Sequence, residues 1–142
     1  EALDAGADAP VLLWTDGFIT EGPGFNVWII QDGKVRTPGD NLLEGITRQC
    51  VFELCAEAGL QAEAADLTAA DLQNADEVFI SSTGGGVIAV TLVNDKPIGN
   101  GAPGITTGKI SDNYWKKRTE GWEATPLADL LEPEMPQAAG AD

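Results

Sequence analysis

The hydrophobic pattern of this chain changes period along its length. From Phe25 to Gln31 (Phe-Asn-Val-Trp-Ile-Ile-Gln), aromatic and β-branched residues predict a strand. Asp32-Gly33 is a hairpin signal, and Lys34-Val35-Arg36-Thr37 returns. Upstream, the apolar run Val11 to Thr15 predicts a short strand turned by Asp16-Gly17, and Pro38-Gly39-Asp40-Asn41 reads as loop. From Ile46 the spacing becomes helical. Val51, Leu54, Cys55 and Ala58 share one face, Arg48, Glu53 and Glu57 lie elsewhere, and Gly59 ends the helix. Arg48 could reach a phosphate at the helix start, but one turn into the helix it is expected to point to solvent or to an acid.

A second, short helix is predicted from Thr68 to Ala75. Thr68 is its N-cap, Asp71 closes a capping box, and Leu67 and Leu72 form a staple. Strand character returns at Glu77 to Ser81 and again at Val87 to Val93, which Asn94-Asp95-Lys96-Pro97 ends. A last helix is predicted from Ile105 to Arg118, with Ile110 and Tyr114 on one face. Trp14, Trp28 and Phe79 read as core. Trp115 and Trp122 pack the last helix or a subunit contact. The order is strands, helix, helix, strands, helix: a mixed α and β domain with hairpins at both ends of its sheet. It does not alternate as a Rossmann fold does, and no Gly-x-Gly-x-x-Gly follows a strand. Residues 1–124 are expected to form one domain. Residues 125–142, rich in Ala, Pro and acids, read as a loosely ordered tail.

Charge and composition narrow the partners. The chain has 142 residues and a net charge of −15, from 23 acids against 8 bases. That excess disfavours nucleic acid and anionic membrane surfaces. No apolar run approaches the roughly 20 residues of a membrane span, and the N-terminus carries neither a signal-peptide pattern nor an initiator Met. A start inside a longer protein is the expectation. Cys50 and Cys55, placed on one helix, stand about 7.5 Å apart along its axis, too far for an easy disulfide. They read as small buried residues in a reduced, cytoplasmic compartment. With two cysteines and no histidine, no zinc site is expected, nor any Ser-His or Cys-His pair. Proton transfer must then fall to lysine, a carboxylate or tyrosine.

Three segments could carry chemistry. Gly45-Ile46-Thr47-Arg48 opens the first helix, where the N–H groups of Ile46 and Thr47 and the Thr47 hydroxyl suit a phosphate oxygen. On this motif alone a plain helix cap is the commoner role of such a threonine. Ser81-Ser82-Thr83-Gly84-Gly85-Gly86 follows a strand, and its glycines permit close approach of a ligand or simply make a tight turn. Glu21, in Thr20-Glu21-Gly22-Pro23-Gly24-Phe25-Asn26, is either a surface turn acid or the partner of a pyridine nitrogen. An ionised carboxylate there keeps the ring nitrogen protonated, at about 1.4 kcal/mol per unit of raised pKa. A phosphate cup with one acid set apart from it suits pyridoxal phosphate.

Taken together, Thr20 to Val27, Leu43-Glu44-Gly45-Ile46-Thr47-Arg48, and Asp76-Glu77-Val78-Phe79 running into Ser82 to Gly86 resemble the D-amino-acid and branched-chain aminotransferase family, the fold-type IV pyridoxal phosphate enzymes. Pro97-Ile98-Gly99 and Gly104-Ile105-Thr106 running to Asn113-Tyr114-Trp115 look most like the (R)-selective amine transaminase branch. The resemblance covers about Thr15 to Arg118. It implies a barrel-like sheet with outer helices, this chain being the C-terminal, cofactor-binding domain of a homodimeric enzyme with a smaller N-terminal domain. Glu21 would bind the ring nitrogen, and Leu43 would lie on the ring face. Gly45, Ile46 and Thr47 would open the phosphate site, and Thr83 would complete it. Ser82, Gly84 and Gly85 would line the substrate pocket for an amine and a keto acid.

By this resemblance the Schiff-base lysine is expected upstream of Glu1. None of Lys34, Lys96, Lys109, Lys116 or Lys117 matches it, so the chain alone is expected to be inactive. Two rival readings stand beside it: a lyase of the same fold, of the aminodeoxychorismate type, and a non-catalytic ligand-binding remnant.

Overall fold

A computed structural model of the chain describes residues 2–122, 124 and 125; the tail expected at 125–142 otherwise lies outside the described residues. Eight strands and three helices follow in the order β1 (Glu21–Gly22), β2 (Phe25–Gln31), β3 (Lys34–Pro38), α1 (Ile46–Glu57), β4 (Gln61–Ala65), α2 (Ala69–Asn74), β5 (Glu77–Ser82), β6 (Gly86–Val90), β7 (Leu92–Val93), β8 (Lys96–Pro97) and α3 (Ile105–Glu120). The main sheet has six strands in the order β4-β3-β2-β5-β6, with β1 also paired to β2. Among the described residues this sheet is open, with β4 and β6 as its edges, so the barrel-like closure expected from the sequence is not formed. A barrel needs its first and last strands to pair, and here they do not.

The β2–β3 hairpin forms as predicted. Asp32 and Gly33 both take positive φ, 52° and 74°, as a two-residue turn matched to the sheet twist requires. α1 then carries the chain back so that β4 runs parallel to β3. The pattern does not predict β4: Gln61-Ala62-Glu63-Ala64-Ala65 is poor in strand formers, and only pairing with β3 makes it a strand. The strand expected at Val11 to Thr15 reduces to an isolated bridge, Leu13 to Ile19. The strand expected at Val87 to Val93 breaks at Thr91, and its end pairs with β8. The turn between β7 and β8 holds Asn94 and Asp95 at positive φ, 50° and 62°.

Two apolar clusters flank the sheet. On one face α1 and α3 cover Trp28, Ile30, Val35, Phe79 and Val87 with Val51, Leu54, Cys55, Ile110 and Tyr114. Trp28 and Phe79 stack at 5.5 Å between ring centroids, confirming both as core. On the other face Leu67, Leu72 and Ala75 meet Ile19, Val27, Ile29, Val78 and Ile98. Trp14, expected in the core, is 49% exposed and belongs to neither cluster, although Val11 of the same run packs against the second. Ala58 is exposed at the end of α1, where Gly59 follows at φ 69°. The α2 capping box is complete: Thr68 Oγ1 accepts the Asp71 N–H and Asp71 Oδ2 accepts the Thr68 N–H. Thr68's two hydrogen bonds hold the Asp71 carboxyl below its ordinary range. Burial pushes the Cys55 thiol up to about 11, consistent with an inert apolar role, and neither Cys50 nor Cys55 is in a disulfide. No described helix is long and apolar enough to cross a membrane.

Candidate functional site

The sheet register gathers the expected residues at one end of the domain. Glu21 pairs with Asn26, Asn26 with Ser81, and Ser81 with Val87, a single rung across β1, β2, β5 and β6. Paired residues point to the same face, here the face covered by α1 and α3. Ser81 Oγ on that face accepts the Trp28 indole N–H at 2.9 Å. Ser82, Thr83, Gly84 and Gly85 follow at the end of β5 and in its turn to β6, beyond this rung.

Glu21 is half-buried rather than a free turn acid. Its Oε2 accepts the Leu43 N–H at 3.0 Å and the Asn26 amide at 3.3 Å. Asn26 donates again to the Leu43 carbonyl at 2.8 Å. The Leu43 side chain is 72% exposed and stands free above this network.

α1 begins beside it. Gly45 is the N-cap, with φ −61° and ψ 144°, and has no side chain to cap with. Thr47, buried at 5% exposure, sits in the first turn and is therefore not the cap. Among the described residues no side chain accepts from the N–H groups of Ile46, Thr47 or Arg48. α3 opens with a similar Gly104-Ile105-Thr106 but is filled. Glu77 accepts the Thr106 N–H at 3.0 Å, and the Thr107 N–H and hydroxyl at 2.7 Å each. Burial alone would raise the Glu77 pKa, but these bonds outweigh it and the net shift is downward.

Arg48 corrects the expectation that it points to solvent or an acid. It is 5% exposed, donates to the Pro38 carbonyl at 3.0 Å and lies 5.2 Å from the Phe52 ring centroid. Burial lowers its pKa, against an opposing pull from Glu44. It fastens α1 to the end of β3.

The glycine turn divides its labour. Ser82 Oγ accepts the Gly85 N–H at 3.0 Å. A Cβ on Gly85 would meet Ile88 at 2.5 Å, and one on Gly86 would meet Tyr114 at 2.7 Å and Trp115 at 3.0 Å. Gly84 alone faces open space. Thr83 is exposed beside it. Ser82, Gly84 and Gly85 are not in the linings of two cavities found elsewhere in the domain. Cavities of about 290 Å³ (Ala58, Leu60, Thr106, Lys109, Ile110, Asp112 and Asn113) and about 180 Å³ (around Trp14, Asp40 and Asp66) lie elsewhere. The site is an open margin of the domain.

The donor set fits pyridoxal phosphate chemically. Unclaimed helix N–H groups and the Thr47 hydroxyl suit an anion, and one carboxylate held apart suits a ring nitrogen. Asn26 is the residue to which the sequence assigned no role. Its signal was a polar side chain inside an apolar strand, on the face that is buried.

The family model for amino-transferase class IV matches residues 1–93. This chain belongs to the class IV aminotransferases. It is 43% identical over 112 residues to the D-alanine aminotransferase of Bacillus licheniformis, covering 78% of this chain and 39% of that protein. It is 35% identical over 116 residues to the branched-chain-amino-acid aminotransferase of Pseudomonas aeruginosa, covering 81% and 38%. The T.th. branched-chain amino acid aminotransferase, solved with pyridoxamine 5′-phosphate, superposes with a TM-score of 0.81 at 32% identity, over 83% of this chain and 40% of that one. The class IV chain thus spans less than half the length of these relatives.

Proposed function

We propose that this chain forms the cofactor-binding half of a pyridoxal-phosphate-dependent aminotransferase, moving an amino group between an amine or amino acid and a keto acid. The single observation that carries the reading is the open start of α1 set beside a carboxylate tied to the same loop. Membership of the class IV family and the likeness to a relative solved with pyridoxamine 5′-phosphate support it.

In this reading the N–H groups of Ile46 and Thr47 and the hydroxyls of Thr47 and Thr83 hold the phosphate. Gly45 leaves the helix start clear. Leu43 covers one ring face, and Glu21 keeps the ring nitrogen protonated. Ser82, Gly84 and Gly85 border the substrate. The bound cofactor supplies an electron sink for negative charge developing at the substrate carbon. The proton transfer belongs to a lysine outside this chain. An N-terminal domain, a second copy of the chain and further strands that curl the open sheet into a barrel complete the enzyme. As substrate we favour an amine, on the (R)-selective branch, for the resemblance of Gly104 to Trp115.

The test is direct. Purified full-length gene product is expected to take up pyridoxal phosphate, gain visible absorbance and lose it on addition of an amino donor. D-alanine, L-leucine and the two enantiomers of a simple amine, compared side by side, sort the substrate class. Absence of cofactor uptake, or uptake unchanged in Thr47→Val and Glu21→Ala together, would overturn the reading.

A further inference from the structure

We infer that Asn26 is the positioning residue that fixes the acid of this site relative to the anion-binding start of α1. The inference rests on the reading above. Asn26 is 5% exposed, at the margin of the sheet, with its backbone held between Glu21 and Ser81. Both hydrogens of its amide are spent, one on the Leu43 carbonyl and one on Glu21 Oε2. The Leu43 N–H closes the circuit onto the same carboxylate oxygen. Carboxylate, peptide and amide therefore form one ring of hydrogen bonds.

The third corner of the amide faces the helix. A Cβ on Gly45 would fall 2.6 Å from Asn26 Oδ1. Asn26 thus abuts the N-cap of α1 while gripping Glu21. The amide has one workable orientation, because turning it over would set Oδ1 against a carbonyl and a carboxylate, both acceptors. Both donors to the carboxylate fall on Oε2, which leaves Oε1 for a ring nitrogen. Asn26 is assigned no contact with the cofactor. It acts through Glu21 and Leu43, setting the span between acid and phosphate donors before any ligand arrives, which lowers the cost of ordering them on binding.

Four proteins test this: Asn26→Ala, Asn26→Asp, Gly45→Ala, and Asn26→Ala combined with Gly45→Ala, each in the full-length gene product. The first readout needs no cofactor. Hydrogen exchange at the Leu43 amide is expected to speed up about 10-fold or more in both Asn26 variants. The second is pyridoxal phosphate affinity by fluorescence titration, expected to fall about 10- to 100-fold in each single variant. The double variant is expected to bind no worse than Asn26→Ala, since the added methyl then meets vacated space. The third is the pH at which the bound cofactor's absorbance changes, expected to move in the Asn26 variants because the acid is no longer held.

Unchanged Leu43 exchange in folded Asn26→Ala, or penalties that simply add in the double variant, overturns the inference. Should Asn26→Ala not fold, Gly45→Ala decides alone, because a wild-type affinity there would mean the abutment is idle. If the wild type takes up no pyridoxal phosphate, the functional reading falls, while Leu43 exchange still decides whether Asn26 positions Glu21.

Discussion

Two helices of this chain begin with Gly-Ile-Thr, and they are finished differently. At Gly104-Ile105-Thr106 the Glu77 carboxylate, reaching from β5, takes the N–H groups of Thr106 and Thr107. At Gly45-Ile46-Thr47 no side chain among the described residues does so. Both starts need negative charge, because unpaired N–H groups and the helix dipole leave them positive. One start is satisfied by the fold and the other is left open. Local sequence does not separate them. The difference lies in a strand residue far away in the chain.

The largest effect should come from emptying the filled start. Glu77→Ala strands the Thr106 and Thr107 N–H groups and is expected to cost about 2 kcal/mol in chemical denaturation. The matching change at the open start, Thr47→Val, should leave stability within about 0.5 kcal/mol and instead weaken pyridoxal phosphate binding roughly 3- to 10-fold. Equal stability losses at the two helices would erase the comparison.

Acid offers a second separation. Glu77 titrates below its ordinary 4.5 when folded, so the unfolded chain binds its proton first. Its contribution is full above about that pH and disappears as the pH drops through its lower folded value. The stability gap between wild type and Glu77→Gln should narrow as urea midpoints are measured at successively lower pH; a constant gap contradicts the assignment. The smallest effect comes from giving α1 an anion of its own. Ile46 is 82% exposed in the first turn. Ile46→Glu should stabilise the fold by about 0.5 kcal/mol while impairing uptake of a phosphate ligand. A gain in phosphate affinity would refute the open-start reading.

What the sequence revealed follows the range of the forces involved. The ends of α1 and the cap of α2 were legible because Gly59, Thr68 and Asp71 act on their immediate neighbours. The Asp32-Gly33 turn was legible for the same reason. β4 was not, since an alanine-rich strand exists only by pairing with β3. Arg48 was misread because helical spacing alone does not reveal that Pro38 and Phe52 await it. Glu21, Thr47 and Thr83 are candidates by residue type at suggestive turns. The network joining Glu21 to Leu43 through Asn26 depends on register, which spacing along the chain does not disclose.

Gly86 belongs to a run whose glycines suit either a ligand's approach or a tight turn, and Tyr114 and Trp115 occupy the space its side chain would need. Its identity is dictated from behind, by the scaffold. Variation in this stretch should therefore divide: Gly84 has room for a side chain, whereas Gly86 is held twice, by the aromatic pair on α3 and by its own φ of 66°.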